Sequence, residues 1–349
     1  MDGAAFGSIN QFIYYKNNKI MKILVAGAGG FIAGYLVKDL LSQGHQVVAA
    51  DIKPADMWYQ TFKDAENHAS CNLQEKHHCY NLSKGVDRIY NLACNMGGMG
   101  FVEHNQALCM ENVLIQTHMM MAARDNEVKE VLYSSTACVY PAAIQSEIKD
   151  EASQALKESD VFPANPDDGY GWEKLFSELI TYYYGKDFDI DSRTCRYHNV
   201  YGPCGTWRGG REKAPAAICR KVIEAKLSGK HEIEIWGDGE QTRSFMFIDD
   251  CITGMELMWE KGDSRPLNLG SDRMVSINQL VDIVENIAEV KLTRNYNLTA
   301  PQGVRGRNSD NTMIKEVLGW APSITLEDGL EKTYAWIYQQ ITENFNNGY

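Results

Sequence analysis

The sequence predicts an α/β fold: a doubly wound parallel sheet followed by a smaller, mixed α/β C-terminal lobe. Three observations carry this. Short apolar β-type runs alternate with helical stretches from Met21 to about residue 200, and the first run breaks directly into a glycine-rich turn. After Tyr201 the elements shorten and Gly/Pro turns separate them.

Taken in order, residues 1–20 are polar and irregular and read as an extension outside the core. Met21 opens the first strand, Lys22–Ala26, and a helix follows over 31–43. Strands over 46–51, 88–93 and 130–135 are then interleaved with helices over 106–125 and 170–186. This rhythm means parallel βαβ units with helices on both faces of the sheet. Beyond Tyr201, Gly202-Pro203, Gly209-Gly210 and Gly237-Asp-Gly239 mark turns, and a last helix covers 326–341. The expected division is a cofactor domain over 21–200 and a lobe over 201–349, some of whose segments return to the first domain. No repeat and no low-complexity stretch is present.

A chain of 349 residues with 44% hydrophobic content can bury one large core or two ordinary ones. Its net charge of −12 argues against broad binding to nucleic acid or an anionic membrane, so anionic ligands must be held by local clusters of cations. No apolar run approaches the ~20 residues that cross a bilayer, and the N-terminus lacks the plan of a secretory signal. A cytoplasmic location is the expectation. The nine cysteines lack CxxC pairs and histidines at zinc spacing, which indicates neither a disulfide framework nor a metal site.

The turn after the first strand reads Gly27-Ala-Gly29-Gly30-Phe31-Ile32-Ala33-Gly34, and the second strand ends in Asp51, about 20 residues after the glycines. Strand, turn, helix and acid in this order make a Rossmann-type dinucleotide site. Glycines let the backbone approach a pyrophosphate at a helix N-terminus, whose free N–H groups favour an anion. A carboxylate closing the second strand accepts from a ribose 2′-OH and repels a 2′-phosphate, which selects NAD over NADP. Phe31 and Ile32 after the glycines, and Leu92 and Ala93 closing the strand over 88–93, are expected to border the cofactor.

Tyr170-Gly-Trp-Glu-Lys174 sets a phenol and an ammonium one turn apart on a helix face. A neighbouring ammonium favours the phenolate, a base for a substrate hydroxyl during hydride transfer. The run Ser134-Ser135-Thr136-Ala-Cys138 places hydroxyls at a strand's carboxyl end, where open α/β sheets bind ligands.

Together these residues resemble the extended short-chain dehydrogenase/reductase family of nucleotide-sugar enzymes. The resemblance covers nearly the whole chain from Met21 and implies Thr136, Tyr170 and Lys174 as catalytic residues. Asn95-Met-Gly-Gly98-Met99-Gly, Gly209-Gly-Arg-Glu212-Lys213-Ala-Pro and Gly303-Val-Arg305-Gly-Arg307-Asn are similar, more narrowly, to the GDP-mannose 3,5-epimerases. That likeness implies a GDP-mannose-type sugar nucleotide as substrate, NAD as cofactor and a homodimer. It also implies Cys138 and Lys213 as an acid/base pair. Gly98, Met99, Asn199, Glu212 and Gln241 would border the substrate, and Arg243 with Arg305 or Arg307 would hold its diphosphate. Two positions depart from the family pattern: Asn72 stands where an acid contacts adenine, and Asn95 where an Asp precedes the glycines.

The chemistry suits these residues. Oxidising a sugar C4 hydroxyl acidifies the hydrogens on both neighbouring carbons, so one base and one acid can invert either centre before the hydride returns. The competing readings are a 4-epimerase, a 4,6-dehydratase, which usually carries Asp-Glu where this chain has Ala137-Cys138, and a non-catalytic sensor of the same ligands.

Overall fold

The computed structural model describes residues 19–346, so almost all of the leading extension lies outside the described residues. Strand β1 (Lys22–Ala26) is followed by helix α1 (Phe31–Ser42) and by β2 (Gln46–Ala50), which pairs parallel to β1. Strand β3 (Glu66–His68) extends that side, after which helix α2 (Lys76–Leu82) returns the chain to β4 (Arg88–Asn91) on the opposite flank of β1. Helices α3 (Met99–His104), α4 (Gln106–Met110) and α5 (Asn112–Asp125) lead into β5 (Glu130–Thr136). Short α6 (Glu151–Gln154) and β6 (Ala155–Leu156) then precede the long helix α7 (Gly169–Phe188) and β7 (Asp191–Tyr197).

All of these strands but β6 form one parallel sheet in the order β3-β2-β1-β4-β5-β7, with β12 (Leu267–Leu269) added at the β7 edge. Alternate residues of β1 feed two cores. Ile23 and Val25 pack with Leu36 and Leu40, whereas Leu24 and Ala26 pack with Met119 and Met120. The strand order reverses between β1 and β4, and that reversal opens a crevice at the carboxyl ends of the strands.

The rest of the chain builds the second lobe. Strand β8 (Val200–Tyr201) pairs with β11 (Met246–Phe247), and β9 (Glu232–Trp236) with β14 (Thr293–Asn297). A four-stranded sheet runs β13 (Val275–Ser276), β10 (Thr242–Arg243), β15 (Gly306–Ser309), β6. Helices α8 (Ala214–Ser228), α10 (Ile277–Ala288) and α12 (Leu326–Asn346) pack on one another. The chain crosses between the lobes in both directions. Helix α9 (Ile248–Lys261) packs on α1 and helix α11 (Thr312–Leu318) on β12, while β6 leaves the first half to join the second lobe's sheet. Among the described residues no helix is long and apolar enough to cross a membrane.

Two expectations change. The helix expected over 106–125 is interrupted at Glu111, where the Leu114 N–H closes a tighter turn on the Glu111 carbonyl. Asn112 then spends its side chain on both backbone groups of Asn95, at 2.7 and 3.1 Å, which ties α5 to the loop above the sheet. The strands expected to end at Asp51 and Ala93 stop at Ala50 and Asn91. At the end of β2 the glycine turn takes over, since the N–H groups of Gly27 and Ala28 both donate to the Ala50 carbonyl; past β4, one bond to β1 remains, from the Leu92 N–H to the Ala26 carbonyl.

Candidate active site

The glycine turn is built for close approach. Gly27 has φ +86°, and a Cβ there would come within 2.9 Å of the Ala93 nitrogen and the Leu92 carbonyl at the end of β4. Gly30 caps α1 without a side chain and no acid lies in the helix's first turn, where Phe31 and Ile32 sit, so the free N–H groups favour an anion. Asp51, just past β2, is buried and accepts from the Lys53 N–H at 2.8 Å. Burial raises its carboxyl, an effect the Lys53 N–H and ammonium oppose. The Lys53 ammonium donates to the Gly29 carbonyl at 3.1 Å. Asn72 caps a turn of its own, accepting from the Gln74 N–H at 3.0 Å. Turn, helix start and acid fit a dinucleotide pyrophosphate and ribose.

Beyond the carboxyl ends of β4 and β5 lies a cavity of about 290 Å³. Thr136, Cys138 and Tyr170 face it together. Thr136 ends β5, and its Oγ1 accepts from the Cys138 N–H at 3.2 Å, which sets the turn that carries the sulfur. Gly171 on α7 lies against that turn: a Cβ there would meet the Cys138 carbonyl at 2.3 Å, so only glycine lets the helix approach. Asp168 caps α7 through the Gly171 N–H at 2.7 Å.

Lys174 is buried behind Tyr170. It donates to the Ser134 carbonyl at 3.0 Å, and its Nζ lies 4.8 Å from the ring centre of Tyr133 and 5.8 Å from that of Tyr170. Burial alone would lower its pKa, but Cys94, Tyr133 and Glu173 outweigh burial and hold it above the ordinary lysine value. Tyr170 departs from expectation. Burial, reinforced by Cys94 and Cys138, pushes its phenol well above 10, and the ammonium bound to the Ser134 carbonyl does not offset this.

The second lobe covers the cavity. Glu212 and Lys213 arrive just before α8, and the Gly98 N–H donates to the Arg211 carbonyl at 3.0 Å, laying the Gly98–Met99 loop on this strap. Arg211 also stacks 3.7 Å from the ring centre of Phe101 and donates to Asn95 Oδ1 at 2.9 Å. Burial lowers the Lys213 pKa, and Cys138 and Cys94 partly oppose that shift. Asn199, in the left-handed region with φ +49°, donates to the Ser244 carbonyl. Gln241 is held through its amide on the Trp236 carbonyl, and its buried Oε1 has no partner among the described residues.

The three arginines separate. Arg243 and Arg307 are register partners on β10 and β15, and both line the cavity. Burial first, then the neighbouring Arg307 guanidinium, pushes Arg243 down to about 9. Among the described residues neither pairs with a carboxylate; Arg243 bonds only carbonyls, those of Thr242 and Gln302. Arg305 lies off the cavity and forms an ion pair with Asp238 at 3.0 Å. Sequence reasoning missed Lys221, Asp168 and the stretch Pro301–Gln302–Val304 on the cavity wall, and Cys94 packed near Tyr170 and Cys138. Of these only Asp168, two residues before the YxxxK tyrosine, carried a local signal, as a helix cap.

The family model for the NAD dependent epimerase/dehydratase family matches residues 23–270. The GDP-mannose 3,5-epimerase of Arabidopsis thaliana is 44% identical over 96% of this chain and 86% of its own length. GDP-mannose 3,5-epimerase 1 of Oryza sativa subsp. japonica is 43% identical over 99% of this chain and 90% of its own. Among solved structures, the UDP-glucuronic acid 4-epimerase of Bacillus cereus, in complex with UDP-glucuronic acid and NAD, is similar with a TM-score of 0.76. It is 26% identical, with 92% of this chain and 100% of that chain covered. A glycine turn shaped for a dinucleotide, a Tyr170–Lys174 helix beside a cavity, and identity running the length of the chain agree: it belongs to the NAD dependent epimerase/dehydratase family and groups there with the GDP-mannose 3,5-epimerases.

Proposed function

We propose that this protein epimerises GDP-mannose at C3 and C5, to GDP-L-galactose and/or GDP-L-gulose, through a transient 4-keto sugar. The observation that carries the reading is the meeting of Cys138 and Lys213 in the cavity that also holds Thr136 and Tyr170. These are two proton-transfer groups from different elements, beside the pair that handles the C4 hydroxyl. Gly27, Gly29, Gly30 and Asp51 would hold NAD, which when bound would supply the hydride acceptor and, in its oxidised form, a positive charge. Thr136 holds the C4 hydroxyl and Tyr170 takes its proton. Burial raises the phenol and the Lys174 ammonium behind it does not offset that by itself, so lysine and bound cofactor together would have to supply the positive charge that favours the deprotonated form. The ketone then acidifies the hydrogens at C3 and C5. Cys138 and Lys213 exchange protons there, the lysine helped by the burial that lowers its pKa. Arg243 and Arg307, two guanidiniums side by side without a carboxylate among the described residues, supply the potential that holds a diphosphate.

This reading is tested with purified protein and GDP-mannose in deuterated water. Deuterium should enter at C3 and C5, the products should be isomeric sugar nucleotides, and no net NADH should accumulate. Stoichiometric NADH with a stable oxidised sugar would make the protein a dehydrogenase instead.

The homodimer is supported by one helix face. Trp172, Phe176, Leu179 and Tyr183 are exposed along α7 at helical spacing, and Leu108 and Leu114 are exposed on the neighbouring α4 and α5. Phe176→Asp is expected to shift the protein from dimer to monomer in sedimentation equilibrium; an unchanged mass would move the interface elsewhere. The nine free cysteines support a reducing, cytoplasmic setting.

A further inference from the structure

Arg307 does more than add positive charge to the cavity. One guanidinium nitrogen, Nη1, donates to the Cys138 sulfur at 3.3 Å, and Nε donates to the Gln145 side-chain oxygen. Gln145 is fully buried. Its amide is spent on the carbonyls of Tyr140 and Pro141, at 3.2 and 3.1 Å, in the segment that follows Cys138. The Gln145 carbonyl in turn accepts from the Arg305 N–H at 2.9 Å, so the bracket is tied to the strand that carries Arg307. Arg307 itself is only 8% exposed and makes no ion pair among the described residues. The arginine is thus oriented by a buried amide onto one atom, the sulfur.

We propose that Arg307 is a positioning residue for Cys138, fixing the sulfur and carrying the counter-charge of the thiolate during proton transfer. The proposal rests on the assignment of Cys138 to proton exchange made above. When the thiolate takes the proton from the carbon beside the C4 ketone, the S–H bond forms. The C–H electron pair passes into the enolate, and the negative charge leaves the sulfur for the enolate oxygen. Reprotonation at that carbon from the Lys213 ammonium completes inversion, and the proton held by Cys138 then returns to the neutral lysine amine. A charge-assisted N–H to sulfur bond favours the anionic end of this exchange.

Two measurements on the NAD-loaded protein test it. Iodoacetamide labelling of Cys138, followed by peptide mapping among the nine cysteines, is expected to slow about tenfold in Arg307→Gln and much less in Arg307→Lys. At saturating GDP-mannose, where a weakened diphosphate contact no longer enters, deuterium uptake at C3 and C5 should fall about tenfold in Arg307→Gln and show no further loss when Arg307→Gln is added to Cys138→Ala, because both changes then act on one group. Unchanged labelling, with a raised KM and losses that multiply in the double variant, would make Arg307 a phosphate clamp only and overturn the proposal. Slowed labelling with parental exchange in Cys138→Ala would keep the arginine–sulfur contact but overturn its role in epimerisation, along with the assignment of Cys138. Arg307→Lys retains the charge and guards against a Gln variant that fails to fold.

Discussion

Tyr170→Phe is expected to lower epimerisation by on the order of 10²–10⁴-fold, the usual cost of losing a positioned proton-transfer group. Tyr170 lines the cavity, and on the proposed reading its phenol takes the C4 proton, a role in which Lys174 cannot replace it. The ammonium is 2% exposed and held on the Ser134 carbonyl behind the ring. Every later step needs the ketone, so bound NADH, 4-keto sugar and deuterium uptake at both carbons should fall together. The substitution removes one oxygen from a ring already packed against Val102 and Cys109, so folding and NAD content should match the parent. Stopped-flow absorbance in the nicotinamide band reads the first step and NMR reads the exchange. A variant that still reduces its bound NAD with GDP-mannose at the parental rate would remove Tyr170 from the hydride step.

Cys138→Ala is expected to fail differently. Phenol, lysine and cofactor turn are untouched, so transient bound NADH and a 4-keto sugar should still form. Deuterium uptake at C3 and C5 should drop by on the order of 10²–10⁴-fold. The fold should tolerate the change, because the turn is set by backbone contacts, the Cys138 N–H on Thr136 and the close approach of Gly171. Near-parental uptake would leave the cysteine as a packed side chain and shift proton exchange to Lys213 with another partner. Cys94, packed against the same cluster, is the nearest alternative in kind.

The two variants separate because the cavity joins residues from distant parts of the chain, and the sequence displays those parts unequally. Periodicity made the strands and helices of the first half legible, because a buried strand or helix face leaves its period in the local residue order. The glycine turn and the Tyr170–Lys174 spacing were legible for the same reason: each works within a few residues of itself. Exact element ends were not, since β2 stops where the glycine turn takes its last carbonyl, and that neighbour is known only after folding.

The arginines mark the boundary most clearly. Arg305 and Arg307 are two residues apart in a strand-like run and equivalent by composition. Strand alternation would put residues two apart on the same face, but β15 begins only at Gly306: Arg307, in register with Arg243 of β10, reaches the cavity, while Arg305 lies before the strand and pairs with Asp238. Tyr170 is the second case. Its spacing to Lys174 is a local fact, but the burial that raises its phenol comes from residues folded over it, Cys94 and Cys138 among them. The sequence by itself therefore determined the fold class, the cofactor turn and the residue types available for catalysis, because these depend on local period and turn chemistry. The tertiary structure alone decided which arginine meets the Cys138 sulfur, 169 residues away, and how burial sets the phenol and the Lys213 ammonium. Contacts and desolvation of that kind depend on sheet register and on what packs over a side chain, and neither is written in the neighbouring residues.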